Sequence, residues 1–560
     1  RRRCKATKAG LSKKGMLAAA SSVLACALLL RAPHRFAAGR AHAVASAAAS
    51  AVDVVVVGGG PAGLAAATDL ASAGLSVTVV ERRETASAFE MQRAYLYLLD
   101  RRGQQWTDRH DLTATVRERG VLNKGYTITR AWPDAKGAVE VKPMLAGEAS
   151  AAAIWVPRAT LLDVIASAAA RAGADLRYGA AVTSLSRGEA AGGRVRLGLA
   201  DGSELAPRLV LACDGIDSRV RQTLRQWSGD GGSFDPVTLP SASSGLNYKM
   251  LMVPPSFEMR NLSTAAPADA RITTEPHSAY VVPSAKTARR ESIRLGLLPS
   301  QDPNVPRTAN IIKPKGHPIW GVKGADELLA FLAESFPQVD DISALVSTQE
   351  AEAFVSATPG TFPAPQFVRT LATEVGGTGF ALLGDAAHAF PPDVGQGVNS
   401  ALEDVCVLTD ALKAGGALPA ARPRLSEAER RCRPSLGAAW GEGARAAALT
   451  EGLNRYQAER APAAEALARI VRVGFPYQYD QSFWRAKLFM LGLGLRLLLS
   501  KTLGKLPLLH GHLFTPPVAF GVLAGEPYTQ IWRRAQRTTA VLWAAAAGLL
   551  AAVARRLLIP

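Results

Sequence analysis

The apolar positions between Asp53 and Glu81 fall into three blocks. Val54-Val55-Val56-Val57 is β-branched throughout, the pattern of a parallel strand buried on both faces. The Ala-rich stretch from Ala62 to about Ser72 predicts a helix, and Val77 to Val80 predicts a second strand that ends at Glu81. Leu209-Val210-Leu211-Ala212-Cys213 and Phe380-Ala381-Leu382-Leu383 read as two more buried strands. From about Gly231 to Pro365 the pattern shortens to β-prone segments such as Ser278–Val282 and Ile293–Leu298 among many prolines, which suits an antiparallel sheet. The Ala/Pro/Arg-rich stretch Gly415 to Thr450 reads as an insertion or linker.

Two apolar runs remain near the end of the chain. Leu488 to Leu499 is broken by Arg496 and suits an interfacial helix. Thr538 to Ala554 is seventeen uncharged residues, with Arg533, Arg534 and Arg537 before it and Arg555-Arg556 after it. That length sits at the lower limit for a spanning helix, and basic flanks favour a membrane over a pair of ordinary buried helices.

Charge sharpens this division. Residues 1–52 carry ten Lys/Arg and no acid, and residues 485–560 carry ten against the single acid Glu526, so the net charge of +18 leaves −1 for residues 53–484. An enzyme of nucleic acids would carry its basic stripe on the folded body, so that class is excluded as a first reading. Residues 1–50 are rich in Arg, Lys, Ala and Ser, with Lys13-Lys14 before the apolar run Met16 to Leu30 and a small-x-small Ala41-His42-Ala43. This is the character of an organellar transit peptide, a plastid favoured, with a mitochondrial or secretory signal as the competing reading. The five cysteines form no C-x-x-C pair and read as reduced thiols, and His510-x-His512 has no acidic or Cys companion, so no metal site is legible.

The first strand runs into Gly58-Gly59-Gly60-Pro61-Ala62-Gly63, a G-x-G-x-x-G turn that opens the Ala-rich helix. In such a turn Gly58 makes the tight bend, Gly60 lets the backbone approach a pyrophosphate, and Gly63 allows close helix-on-strand packing. The helix N-terminus offers unpaired N–H groups to phosphate charge, and Glu81 is placed to accept from an adenosine ribose. Strand, helix, strand and terminal acid in that order signal a dinucleotide, without separating FAD from NAD. The two later strands each end at an acid among small residues, Asp214-Gly215 and Gly384-Asp385-Ala386-Ala387-His388, where a carboxylate can meet ribityl hydroxyls. Gly395-Gln396-Gly397-Val398-Asn399 then opens a helix whose N–H groups form an electropositive nest, suited to the anionic pyrimidine end of a reduced flavin.

These segments resemble the motifs of the class A flavoprotein monooxygenases, the para-hydroxybenzoate hydroxylase-like family. Asp214-Gly215 matches its DG motif and Gly384-Asp385 its GD motif, in the right order between about Asp53 and Asp410. The resemblance implies that FAD is bound by Gly58, Gly60, Gly63, Glu81, Arg82, Arg158, Val182, Asp385 and the turn Gly395, Gln396, Gly397, Val398 and Asn399. It implies that Asp214 and Gly215 support the pyrophosphate and a transient NAD(P)H, since no second dinucleotide motif is present. The implied reaction is NAD(P)H- and O2-dependent hydroxylation of a small aromatic molecule by way of a flavin hydroperoxide. The flavin would carry that chemistry, with no obligate side-chain nucleophile. His388 is a candidate general base, although in the family this histidine belongs to the motif turn. Two other readings stay open: a flavin-dependent dehydrogenase or reductase of the same superfamily, and a catalytically inactive membrane-bound flavin-binding protein.

Within the family the chain is most similar to the kynurenine 3-monooxygenase branch, through Arg93 to Gln105, Leu328 to Pro337, which resembles the branch's amphipathic helix before Phe-Pro, and Gly395 to Asp404. By that resemblance Arg93 would grip a substrate carboxylate and Asn399 would lie on the substrate side. There are departures: Leu96 stands where the branch has Asn, and Pro391-Pro392-Asp393-Val394 replaces an aromatic pair. Only Phe475 to Tyr479 aligns with the branch's tyrosine-rich segment. The expected architecture is α/β. A Rossmann-like FAD-binding domain (51–105, 151–228 and 366–412) is joined to an antiparallel-sheet substrate domain (106–150 and 229–365). A targeting presequence (1–50) precedes them, and a helical, membrane-associated region (413–560) with a candidate membrane helix at 538–554 follows.

Overall fold

The structure is a computed structural model that describes residues 52–85, 96–123, 128–141, 152–188, 193–229, 232–285, 292–418, 442–479 and 481–558. The expected presequence and Arg93 lie outside the described residues. Along the chain the elements that position the site are β1 (Val54–Val57), α1 (Pro61–Ser72), β2 (Val77–Val80), β3 (Leu96–Leu99), α2 (Arg101–Arg109), α3 (Arg158–Ala172), β4 (Leu209–Ala212), α4 (Arg219–Ser228), β5 (Thr378–Leu382) and α5 (Gly397–Ala414). They are followed by α6 (Glu442–Gly474), α7 (Phe483–Thr502), α8 (Val518–Leu523) and α9 (Tyr528–Leu558).

All four valines of β1 are buried, because β1 is central in a six-stranded sheet ordered Ala372–Val375, β5, β4, β1, β2, Asp175–Arg177. The pairings are parallel except for Ala372–Val375, which runs antiparallel to β5 along the edge. Parallel pairing carries the turns after β1, β4 and β5 to one edge of the sheet, where an open α/β sheet binds its ligand. Helix α1 packs against both α3 and α5, which explains why its Ala62–Ala71 run is buried.

The second sheet is ordered Gly360–Thr361, Asn247–Val253, Arg307–Lys313, Arg294–Leu297, Ala279–Pro283, Ile128–Ala131, Ala138–Val141. It corrects the expectation of a purely antiparallel sheet at one place: Ile128–Ala131 runs parallel to Ala279–Pro283. That strand arrives over a long connection from an earlier segment, and no tight hairpin dictates its direction. Leu328, Leu332 and Phe336 of the expected amphipathic helix are buried in one cluster with Leu251, Leu295 and Ile311 of the sheet.

The C-terminal third departs most from the sequence reading. Residues 419–441 of the expected linker lie outside the described residues, but from Glu442 the stretch is already α6, a 33-residue helix packed on α5. The apolar run at 538–554 is the distal part of the longer α9. Its first turns belong to a core with α6 and α8, where Tyr528, Ile531, Val522, Leu467 and Val471 are buried together. Beyond them Trp543, Leu549 and Leu550 are 73%, 68% and 70% exposed, so the two ends of one helix live in different surroundings. Residues Tyr528–Arg556 are long and apolar enough to cross a membrane. The expected interfacial run sits in α7, whose Trp484, Leu488 and Leu491 are exposed. Arg496, which breaks that run, donates to Thr539 Oγ1 at 3.0 Å and ties α7 to α9.

This division predicts two different truncations. A chain ending at Ala540 should keep the thermal transition of the full chain and sediment less with membranes in cell fractionation. A chain ending at Pro527 removes the buried Tyr528 and Ile531 and should lose several kcal/mol of stability, on the order expected for deleting large core side chains. Equal melting temperatures for the two would disprove the assignment of the first turns to the core.

Candidate active site

Three turns meet at the ligand-binding edge of the parallel sheet. In the turn after β1, Gly58 has φ +106°, and a Cβ there would lie 2.3 Å from the Cys213 carbonyl oxygen. A Cβ on Gly63 would lie 1.9 Å from the Gly58 carbonyl oxygen, so these two glycines are fixed by the protein's own packing. Gly60 differs: a Cβ there meets nothing within 4 Å, and Gly60 caps α1 without any side-chain hydrogen bond to its N–H groups. Gly215, in the turn after β4, and Gly397, at the start of α5, likewise face open space. Glycines that the protein does not need for its own packing line a place where another molecule's atoms fit.

Glu81 ends β2 with a carboxylate already engaged. It accepts from Gly59 N at 2.6 Å and from Arg83 N and Nε at 2.9 and 3.0 Å. Burial pushes this carboxyl up, but Arg83 and the Gly59 N–H outweigh burial and hold it below its ordinary range. Arg83 is therefore the basic residue at this acid; Arg82, expected among the FAD-binding residues, is exposed. Arg158 begins α3, is 7% exposed, and makes no hydrogen bond or ion pair to any described residue. Val182 begins the strand Val182–Ser186. Asp214 accepts from Arg219 N at 2.7 Å and Val220 N at 3.2 Å through Oδ2, and its buried Oδ1 has no hydrogen-bond partner. Burial pushes its carboxyl up. Asp385 is exposed in the turn that follows β5. Open glycines and an orphaned carboxylate oxygen at the sheet edge, together with the buried Arg158 at the start of α3, fit a phosphate- and hydroxyl-bearing dinucleotide. FAD, when bound, would be held by these groups.

The nest turn is built differently from its sequence reading. Asn399 is fully buried, and its side chain accepts from Asp100 N and donates to Leu98 O and Gly395 O at 3.0, 2.8 and 3.0 Å. Gln396 is 1% exposed, donating to Asp100 Oδ2 and accepting from the Tyr528 hydroxyl, both at 2.7 Å. Gln396 and Asn399 were expected among the FAD-binding residues, and Asn399 on the substrate side. Here they brace the turn from behind, which leaves contact with a ligand to the backbone N–H groups. His388 is corrected in the same sense. Its Nε2 faces Asp404 at 2.9 Å, its ring is buried and stacks on Phe390, and it points into the protein.

Behind the turn lies a polar network that motif reading missed. Arg460 pairs with Asp404, donates to Glu403 Oε2 at 2.7 Å, and donates to Ser400 O at 2.9 Å. Asp404 also accepts from Gly384 N at 2.7 Å, which joins the turn after β5 to α5. Burial raises the Asp404 carboxyl, yet Arg460 and His388 outweigh it and hold it below its ordinary value. Arg102 donates to the carbonyls of Val522 and Glu526 and lies 4.2 Å from the Tyr528 ring centroid. The only sequence signals for this network were the acidic pair Glu403-Asp404 inside an apolar helix and Asp100 as the N-cap of α2.

Beside the nest, Asp393 lies in the Pro391–Val394 segment that departs from the branch's aromatic pair. It is 6% exposed, its Oδ1 accepts from Gln478 Nε2 at 3.2 Å, and its Oδ2 is orphaned. Tyr479, the end of the weakly aligned segment, reaches Phe362 with ring centroids 5.6 Å apart, and Phe362 reaches Tyr248 at 5.0 Å. An aromatic wall from the second sheet and the C-terminal segment thus adjoins the turn. Burial pushes the Asp393 carboxyl up to about 6, against hydrogen bonds from Ser243, Gln478 and Tyr479. An open cavity of about 590 Å³, lined by Arg187, Trp227, Thr370 and Glu374 among others, contains none of the site residues.

Two predictions follow from these positions. Gly60→Val should leave the fold intact and abolish retention of FAD, whereas Gly63→Val should lower the melting temperature itself; a yellow Gly60→Val protein would refute the cradle. For Asp393, a folded pKa near 6 against roughly 3.9 unfolded means that its contribution to stability is complete below about pH 4 and lost as pH rises through 6. Asp393→Asn should therefore stabilise the protein at pH 8, by up to about 2 kcal/mol, and have little effect at pH 4. A melting-temperature change that is the same at both pH values would contradict this.

Residues 51–243 and 340–440 match the FAD binding domain family, slightly more than half of the chain. The rifampicin monooxygenase of Streptomyces venezuelae is 31% identical over 176 residues, which are 31% of this chain and about a third (33%) of that enzyme's length. The kynurenine 3-monooxygenase of Salinispora arenicola is 27% identical over 369 residues, 64% of this chain and 72% of that enzyme. Among solved structures, a mutant of 2-methyl-3-hydroxypyridine-5-carboxylic acid oxygenase shares the fold with a TM-score of 0.51 at 18% identity, over 86% of this chain and 98% of that one. With the dinucleotide cradle and the nest on one sheet edge, these matches show that the chain belongs to the FAD-binding family of the class A flavoprotein monooxygenases and is related to the kynurenine 3-monooxygenases.

Proposed function

We propose that this protein is an NAD(P)H-driven monooxygenase that hydroxylates a small aromatic molecule. The observation that carries the reading is the convergence of two open glycine turns, at Gly60 and Gly215, with the electropositive nest that opens at Gly397, beside an aromatic wall. Bound FAD supplies the redox and oxygen chemistry. The chain's own groups divide the remaining work. The Gly58–Gly63 turn and the α1 N-terminus hold the pyrophosphate, with Arg158 as a buried counter-charge. Asp385 and Asp214 receive the hydroxyl-bearing chain. The N–H groups of Gly397 and its neighbours face negative charge at the pyrimidine edge. Tyr248, Phe362 and Tyr479 exclude water from the aromatic substrate, which limits wasteful release of peroxide.

The cofactor domain in this reading comprises 51–105, 151–228 and 366–412, and the second sheet with its helices, from 106–150 and 229–365, roofs the substrate. Arg93, from its resemblance to the kynurenine branch, binds a substrate carboxylate, which makes a kynurenine-like amino acid one candidate. The exposed apolar half of α9, flanked by arginines, attaches the protein to a membrane. The acid-free N-terminal 52 residues favour a plastid.

Oxygen uptake with NADPH or NADH, measured across aromatic acids and phenols, tests the activity. Substrate-stimulated uptake with a hydroxylated product is expected, and reductant consumption without oxygen insertion would move the protein to the dehydrogenases. With an acidic substrate, Arg93→Ala should raise KM about 100-fold, leave FAD content unchanged and increase peroxide release. Unchanged kinetics would remove the carboxylate assignment.

A further inference from the structure

We propose that Tyr528, in the first turn of the apolar C-terminal helix, is a positioning residue for the flavin and acts through Gln396. The proposal rests on the reading that the Gly395–Asn399 turn holds the flavin's pyrimidine edge. Gln396 precedes Gly397 at the opening of α5, so any movement of its side chain is transmitted directly to the N–H groups of the nest. Its amide is fixed at both ends. Nε2 donates to Asp100 Oδ2, and Oε1 accepts from the Tyr528 hydroxyl, at 2.7 Å in each case; Arg102 Nη1 is a second, longer donor to Oε1 at 3.4 Å. The Tyr528 donor therefore comes from a helix 132 residues away in sequence and is 2% exposed.

The hydroxyl is held in register by its surroundings. The Tyr528 ring carries Arg102 at 4.2 Å and Arg460 at 5.9 Å, the two guanidiniums of the network behind the nest. Arg102 in turn donates to the carbonyls of Val522 and Glu526 that lead into α9. Moving the start of α9 thus moves the donor to Gln396. Without the hydroxyl the amide oxygen is left with the longer Arg102 bond alone or rotates to find another donor, and either change shifts the nest. The observed length of α9 has a function in this view. The helix begins ten residues before the uncharged run at Thr538 because its first turn is part of the cofactor site's wall.

The test uses the full chain with Tyr528→Phe, which keeps the ring and its two cation contacts and removes only the hydroxyl. We expect an unchanged melting temperature of the apoprotein and an FAD dissociation constant raised about three- to tenfold, the range for one hydrogen bond acting at one remove. The bound flavin's absorption spectrum and midpoint potential should also shift, which loss of fold alone would not produce. Gly397→Val, whose Cβ would meet no atom within 4 Å, is the companion variant. If Gly397→Val loses FAD and Tyr528→Phe matches the wild type in affinity, spectrum and potential, the coupling is overturned and the nest reading stands. If Gly397→Val keeps FAD with an unaltered spectrum, the nest reading fails and the proposal with it. Should Tyr528→Phe also lower the melting temperature, Ile531→Ala provides the comparison, because Ile531 shares the core of Tyr528. An equal spectral and potential shift in Ile531→Ala would reduce Tyr528 to a packing residue; a shift confined to Tyr528→Phe would support the proposal.

Discussion

The buried pairing of Arg460 with Asp404 and Glu403 holds the cofactor side of the molecule together. Arg460 is 2% exposed and comes from α6, whereas both acids and the Ser400 carbonyl belong to α5. Burial lowers the guanidinium's affinity for its proton, but the two carboxylates outweigh that penalty and raise it. A charge removed from water this completely is tolerable only when every donor is matched. The matching extends outward, since Asp404 also takes Gly384 N and His388, and Glu403 lies 3.7 Å from Arg102. The turn after β5, the nest helix and the C-terminal helices are thereby fixed to one another by groups that leave no ligand contact for themselves.

That arrangement accounts for a division of labour at the site. Side chains with the strongest hydrogen-bonding capacity, Asn399, Gln396, His388 and Asp404, all point inward, and what remains facing outward is backbone and glycine. A rigid set of N–H groups needs little reorganisation when charge develops nearby, which is the general advantage of a preorganised site. The aromatic side is built with looser logic, from rings contributed by the second sheet and by the segment before α7. Asp393 at their junction is the one carboxyl placed there without a full set of partners.

The order of β1, α1 and β2 was legible because each signal is local: four consecutive β-branched residues, a glycine turn, and an acid at a strand end. Gly58 and Gly63 could also be read, since the backbone itself demands them. Asn399 and Gln396 were misread for a physical reason. A motif records that an amide stands at a helix start, and it does not record whether the amide faces a ligand or the chain segment 300 residues away that supplies Leu98 and Asp100. Arg460 and Tyr528 were invisible for the same reason, because nothing in their neighbours along the chain announces a buried partner. The extent of α9 was underestimated because arginines at 533, 534 and 537 interrupt the apolar run, although a helix can carry them on its wet side. Arg534 does so by pairing with Glu526 at 2.6 Å.

The continuity of α9 has a geometric consequence. An α-helix advances about 1.5 Å and turns about 100° per residue, so the end embedded in the core fixes the azimuth of every side chain farther out. Trp543, Leu549 and Leu550 therefore do not hang from a tether; their facing direction is keyed to the body like the teeth of a key to its bow. Evolution can lengthen this helix by whole turns without changing which way the body looks, but a single inserted residue between Tyr528 and Val541 would swing the apolar surface by more than a quarter of a circle.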